Sequence, residues 1–179
     1  LVQTYGANVI GVCDPKFEFL NLEKWNGVKV LGGDDYLSCV KTKDVYLLNG
    51  IGMLPGNNNR LEIFVRYTDM GYHFPPLIHP ASWVSPQAVV HDGVQVMAGA
   101  VVQPYVMLGE NSIINTGSSV DHDTRIGAHC HLAPGVTICG DVRIGDRTFI
   151  GAGSTVIQGI EVAPDKKIKS GTLTVKNVS

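Results

Sequence analysis

Charge of either sign, long apolar runs and paired cysteines are all scarce in this chain, and each scarcity removes a class of function. Fourteen lysines and arginines stand against sixteen aspartates and glutamates, a formal net charge of -2, so no basic excess is there to hold a nucleic-acid backbone. No apolar run approaches the ~18–20 residues of a membrane span, and the first residues lack the basic-then-apolar order of a signal peptide. Four cysteines, Cys13, Cys39, Cys130 and Cys139, show no Cys-x-x-Cys spacing, which fits free thiols in a reducing compartment. The expectation is a cytoplasmic protein with neither membrane nor nucleic-acid partners. Its 179 residues allow one or two domains and a sizeable core.

What the chain has instead is a period of six. From Ile78 an aliphatic residue recurs without a gap: Val84, Val90, Val96, Val102, Leu108, Ile114, Val120, Ile126, Leu132, Ile138, Ile144, Ile150, Val156, Val162, Ile168. Four residues after most of these stands a small or β-branched side chain, as at Ser112, Ser118, Thr124, Cys130, Val136 and Thr148. Six matches neither the 3.6 of a helix nor the 2 of a plain strand. It is the hexapeptide repeat of a parallel β-helix, in which each hexad forms one short flat face and three faces close a coil of eighteen residues. The aliphatic residue points inward on every face. Burying each one contributes ~1.5–3 kcal/mol, so the series offsets the ordering entropy of its backbone.

Residues 1–77 follow another rule. Asn8–Asp14, Val28–Leu31 and Val45–Leu48 read as strands, Asp34–Val40 as a short helix, and Arg60–Met70 as a longer one closed by Gly71. Strands alternating with helices predict a small α/β domain with a parallel sheet, ending where Pro75-Pro76 precedes the hexads. Between the third strand and the long helix, residues 49–60 (Asn-Gly-Ile-Gly-Met-Leu-Pro-Gly-Asn-Asn-Asn-Arg) form a glycine-rich loop. Such a loop either holds a phosphate on its amides or is a flexible connection ending in an Asn N-cap. It matches neither GxGxxG nor GxxxxGK.

The densest polar cluster is Asp121-His122-Asp123, followed by His129-Cys130-His131. His122 stands two residues past the inward Val120, at an outward or corner position, with a carboxylate on each side. A carboxylate partner fixes the imidazole tautomer and raises its basicity, as a general base requires. Residues eighteen apart stack at ~4.8 Å, which puts His122 beneath Gly140, whose lack of a side chain permits close approach. His131, half a coil away, lies beside a second column: Pro134, Ala152, Ser170. One protomer cannot easily bring both columns to one substrate, whereas neighbouring chains in a closed three-fold ring can. Three histidines within ten residues also raise zinc, but no HExxH or cysteine pairing supports it, and no metal is expected.

These residues carry a family resemblance. Ile78-His79-Pro80-Ala81, Ile114-Asn115-Thr116-Gly117, Asp121-His122-Asp123, Ala133-Pro134-Gly135 and Phe149-Ile150-Gly151-Ala152-Gly153-Ser154 resemble the sugar acyltransferases of the left-handed β-helix superfamily. That group includes sialic-acid O-acetyltransferases and N-acetyltransferases acting on UDP-4-amino sugars in the bacillosamine pathway. Asp14, Val30-Leu31-Gly32-Gly33 and Arg60 resemble its small nucleotide-sugar domain, so the likeness covers nearly the whole chain.

The implied fold is a small Rossmann-like α/β domain over residues 1–77, truncated at its start, followed by a left-handed parallel β-helix over 78–179. The implied activity is acetyl transfer from acetyl-CoA to a sugar, at sites between the subunits of a homotrimer. The resemblance makes His122 the general base with Asp123 as its acidic partner, Asp121 being the fallback. It places His131 and the Gly140 amide at the acetyl carbonyl, and Gly151, Ala152, Ser170 and Gly171 along the CoA. Members of the family open on a strand with a glycine-rich, His-containing loop and end in a Gly-Val-Pro-Ala-Lys-like segment. This chain begins after the first and stops at Asn177-Val178-Ser179. Two other readings compete: a γ-carbonic-anhydrase-like zinc hydratase, which shares the β-helix, and a non-catalytic β-helix scaffold.

Overall fold

The computed structural model describes residues 8–179. From Leu77 to Thr174 the chain winds as a three-sided prism of two-residue strands, all parallel. The first face stacks the strands at residues 77–78, 95–96, 113–114, 131–132, 149–150 and 167–168, and the second and third faces follow six and twelve residues later. The register is eighteen throughout: Ile114 pairs with Leu132, Val120 with Ile138, Ile126 with Ile144. The inward residues from Val94 to Val162 form one core, most of them fully enclosed.

Two details explain the hexad's other positions. Inward hydroxyls clasp successive coils. Thr124 Oγ1 donates to the Cys139 carbonyl at 3.0 Å and accepts from the Val142 amide, and Ser112, Ser118, Thr148 and Ser154 repeat the pattern. Each hydroxyl spans the gap where the chain turns a corner, which is why the fourth position is small and so often Ser or Thr.

The second residue after each aliphatic one leaves its amide out of the coil-to-coil ladder. Proline therefore fits there, at Pro80, Pro86, Pro104, Pro134 and Pro164. The residue after that adopts positive φ, as at Tyr105, Asn111, Asp123 and Asp141, completing a turn of the type-II kind.

Of the N-terminal unit, β1 (Val12–Cys13) pairs parallel with β3 (Val28–Gly32), and β2 (Lys24–Trp25) pairs antiparallel with β3. The sheet is thus mixed rather than parallel. The strand expected over residues 45–48 does not join it: Leu47 donates only to the His73 carbonyl, while Val45 and Leu47 pack on a core of Phe64, Tyr67, Tyr72 and Phe74. Apolar alternation there reports burial against aromatics, not strand pairing. The expected helix at 34–40 is a 3-10 helix, Asp34–Cys39, and the long helix runs Asn59–Asp69. No helix among the described residues is long and apolar enough to cross a membrane.

Candidate active site

The corner that joins the second face to the third carries Asp121, His122 and Asp123, between strands Ser119–Val120 and Arg125–Ile126. Asp123 sits at φ 62°, a left-handed conformation that Asp tolerates better than most side chains. Its Oδ2 lies 2.8 Å from His122 Nδ1. Asp121 makes no hydrogen bond to the ring, so the geometry pairs His122 with Asp123. A carboxylate only accepts, so Nδ1 carries the proton and Nε2 of the neutral ring is left with a lone pair. The Asp123 hydrogen bond holds the imidazole pKa above its ordinary value, outweighing the opposing desolvation, with smaller help from the charges of Asp123, Asp121 and Asp141.

That shift has a kinetic sign. A base must be neutral to act, so with His122 in that role the acid limb of kcat/KM is expected at its raised pKa. Asp123→Asn removes the largest cause of the rise, and the limb is expected to move to lower pH. Asp121→Asn is expected to move it less. A limb unmoved by Asp123→Asn would separate this carboxylate from the titrating group.

One coil above, Gly140 covers the ring. Asp141 N–H donates to the His122 carbonyl at 2.9 Å, and a Cβ added at Gly140 would stand 2.8 Å from ring atoms Cε1 and Nε2. Only glycine leaves the imidazole in this rotamer. The Gly140 amide donates to no group among the described residues, the same vacancy that admits proline elsewhere. Gly140→Ala is expected to displace the ring and lower kcat by up to ~10²-fold, with a melting temperature near wild type, read by steady-state kinetics and thermal denaturation.

His122 and Asp123 side chains are 64% and 57% exposed. Beside them an open groove of about 530 Å³ is lined by Tyr105, Asp123, Arg125, Asp141 and Arg143. A larger hollow at the foot of the prism, around Ile78, Val84 and Val90, is the uncovered end of the core and lies on the first coil.

The second predicted set lies on another corner, between the first and second faces. Ala152, Ser170 and Gly171 are exposed there, stacked by the Gly171 N–H to Ala152 carbonyl bond of 2.8 Å. The amides of Ala152 and Ser170 are free among the described residues. Gly151 is buried, and a Cβ there would strike the Ser170 amide at 2.4 Å, so its glycine serves coil stacking. The two sets stand at opposite edges of the second face, as the eighteen-residue spacing predicts.

His131 belongs to neither edge. It is 8% exposed on the first face, edge-on to Phe149, and both ring nitrogens are engaged. Asn115 Oδ1 accepts from the Thr116 amide, which leaves its Nδ2 to donate to His131 Nε2 at 3.1 Å. Nδ1–H then donates to the Met53 carbonyl at 3.1 Å, and burial lowers the pKa of the ring. In this arrangement the donor expected at an acetyl carbonyl is already given to the glycine-rich loop. Asn115 and Met53 are partners that spacing did not single out.

His129 is also spoken for, with Asn111 on Nδ1 at 3.0 Å and Phe64 against its ring. Among the described residues no three His, Cys, Asp or Glu side chains group to hold a metal ion.

Comparison with known proteins follows the same lines. The profile of the bacterial transferase hexapeptide (six repeats) family matches residues 105–140 and 123–158. The acetyltransferase domain of PglB from Neisseria gonorrhoeae FA1090, in complex with acetyl coenzyme A, superposes with a TM-score of 0.90 at 30% identity, covering 99% of this chain and 84% of that one. PerB from Caulobacter crescentus, in complex with CoA and GDP-perosamine, superposes with a TM-score of 0.88 at 32% identity, covering 99% and 82%.

Proposed function

Since the chain belongs to the hexapeptide-repeat sugar acetyltransferases of the left-handed β-helix type, we propose that it moves an acetyl group from acetyl-CoA to the amine of a nucleotide-linked amino sugar. One observation carries the chemistry: the His122–Asp123 dyad at 2.8 Å, with a free Nε2 beneath a bare Gly140 amide.

The reaction is direct. As the sugar nitrogen attacks the thioester carbon, His122 Nε2 takes its proton. The Gly140 N–H holds the oxyanion, a contribution of ~2.7–4 kcal/mol for a donor of this kind. The C–S bond then breaks, and the imidazolium returns its proton to the CoA sulfur. His131 stands behind this step. Its Nδ1–H reaches the acetyl oxygen only when Met53 releases it, and until then it holds the loop. The free amides of Ala152 and Ser170, with Gly171, line the pantetheine path.

Dyad and amide column stand on different corners of one protomer, which supports a site shared between neighbours in a homotrimer. Two commitments argue against a zinc hydratase: His131 spends both nitrogens on Asn115 and Met53, and His129 spends one on Asn111.

The test is turnover of acetyl-CoA against UDP-, dTDP- and GDP-amino sugars and free sialic acid, alongside the sedimentation mass. Transfer to an amino-sugar nucleotide by a trimer is the expected result. A monomer that binds no acetyl-CoA would make the chain a scaffold.

A further inference from the structure

The corner that carries the dyad continues one coil down, where Pro104-Tyr105 stands beneath His122-Asp123 and the Asp123 amide donates to the Pro104 carbonyl at 3.2 Å. Tyr105 is the odd member of this column. It sits at φ 63°, the place in the turn that glycine or a short Asx side chain takes most easily. Asp123 and Asp141 hold that place on the two coils above, and Gly159 on the third. A bulky ring is disfavoured there. Two other long side chains in the same conformation are held by their neighbours: His129 by Asn111 at 3.0 Å, and Arg147 by Asp165 through bonds of 2.7 and 2.8 Å. Among the described residues the Tyr105 hydroxyl meets only Gln87 Nε2, at 3.4 Å, and the residue stays 63% exposed. A strained, exposed ring beside a candidate base marks a place that a bound molecule completes.

Its height on the prism decides which substrate the ring meets. Counting coils from Leu77, Tyr105 lies on the second, His122 on the third, Gly140 on the fourth, and Ala152 and Ser170 on the fifth and sixth. Upright prisms in a closed three-fold ring share these levels, so CoA on a neighbour's upper coils brings its thioester down to Gly140. The side left open to the acceptor is the lower one, at the level of Tyr105. One coil is ~4.8 Å, close to the width of a six-membered sugar ring. Tyr105 also lines the groove beside the dyad, with Asp123, Arg125, Asp141 and Arg143. A tyrosine offers a rigid apolar face at little ordering cost, and the charged groups around it are partners for hydroxyls.

We propose that Tyr105 is the acceptor's platform: the pyranose ring of the amino sugar lies over its aromatic face, one coil beneath the dyad, with the amine directed up to His122 Nε2. The inference rests on the acetyl transfer proposed above. The test uses the full chain and whichever of the UDP-, dTDP- and GDP-amino sugars the wild type acetylates best. Tyr105→Asn removes the ring and suits the turn. The acceptor KM is expected to rise about tenfold, with kcat and the acetyl-CoA KM within about threefold of wild type. The melting temperature is expected to rise by about 2–4 °C as the strain is released. Tyr105→Phe keeps the face and is expected to hold the acceptor KM within about threefold.

An unchanged acceptor KM in Tyr105→Asn overturns the inference, as does an equal rise for acetyl-CoA. A Phe variant as poor as the Asn variant overturns it, because the face is then not what binds. A changed sedimentation mass or a lowered melting temperature in Tyr105→Asn does so too, since the ring would then serve the assembly or the fold. A wild type inactive on every amino-sugar nucleotide is a different result: it removes the proposed function, and the platform with it.

Discussion

His122→Ala is expected to leave a folded protein whose kcat/KM is lower by about 10²–10⁴-fold, the usual contribution of a positioned general base. The side chain is 64% exposed, and among the described residues its only side-chain hydrogen bond is to Asp123, so its loss costs the core nothing. Backbone contacts at this corner stay: the His122 carbonyl still accepts from Asp141 N–H, and Thr124 still clasps the Cys139 carbonyl. The melting temperature and sedimentation mass should therefore match wild type. The acid limb of the pH profile should vanish with the imidazole, which separates lost base catalysis from partial misfolding. Turnover within about threefold of wild type, with the limb intact, would assign the proton to another group.

Ile126→Asp has the opposite profile, destroying the fold rather than the chemistry. Ile126 is 2% exposed, in register between Leu108 below and Ile144 above. A carboxylate there meets only aliphatic neighbours, and an unpaired polar group buried in such surroundings costs about 2–7 kcal/mol before any charge is counted. Because each coil rests on its neighbours, a disrupted coil leaves those above and below with a bare end. Ile126→Val, which removes one methyl, is expected to cost only about 0.5–1.5 kcal/mol. Thermal denaturation read by far-ultraviolet circular dichroism distinguishes the two. An Ile126→Asp protein that melts like wild type would mean the side chain points outward.

The β-helix was legible because its signal is redundant. Sixteen aliphatic residues repeat one constraint, so position 126 is placed by every hexad around it. His122 beneath Gly140 follows from the same arithmetic, since a register of eighteen is set by the winding and not by any particular side chain. The N-terminal unit offers no such repetition. Val45–Leu48 has the composition of a strand, yet packs on Phe64 and Tyr72 with no ladder, because alternation records which side is buried and not what buries it. The hydroxyl clasps were visible as a preference for small residues, but their purpose lay in carbonyls fifteen positions away.

His131 shows where spacing stops. Its place on the first face was readable, but the ring's partners come from Asn115, sixteen residues back, and Met53, seventy-eight residues back. Arg60 is the same case. In the sequence it is one more basic residue after three asparagines, and only the packed structure shows a buried cation held by four carbonyls from two parts of the chain.

By itself, then, the order of residues determined the prism, its three faces, and the two corners on which candidate chemistry stands, because a period is a local rule applied many times over. The tertiary structure alone decided that His131 lies beneath the loop at residues 49–57 and that Arg60 ties that loop to the prism. Each of those depends on the particular contacts of one side chain, made through one rotamer or across a long stretch of chain, and contacts made once leave no periodic trace.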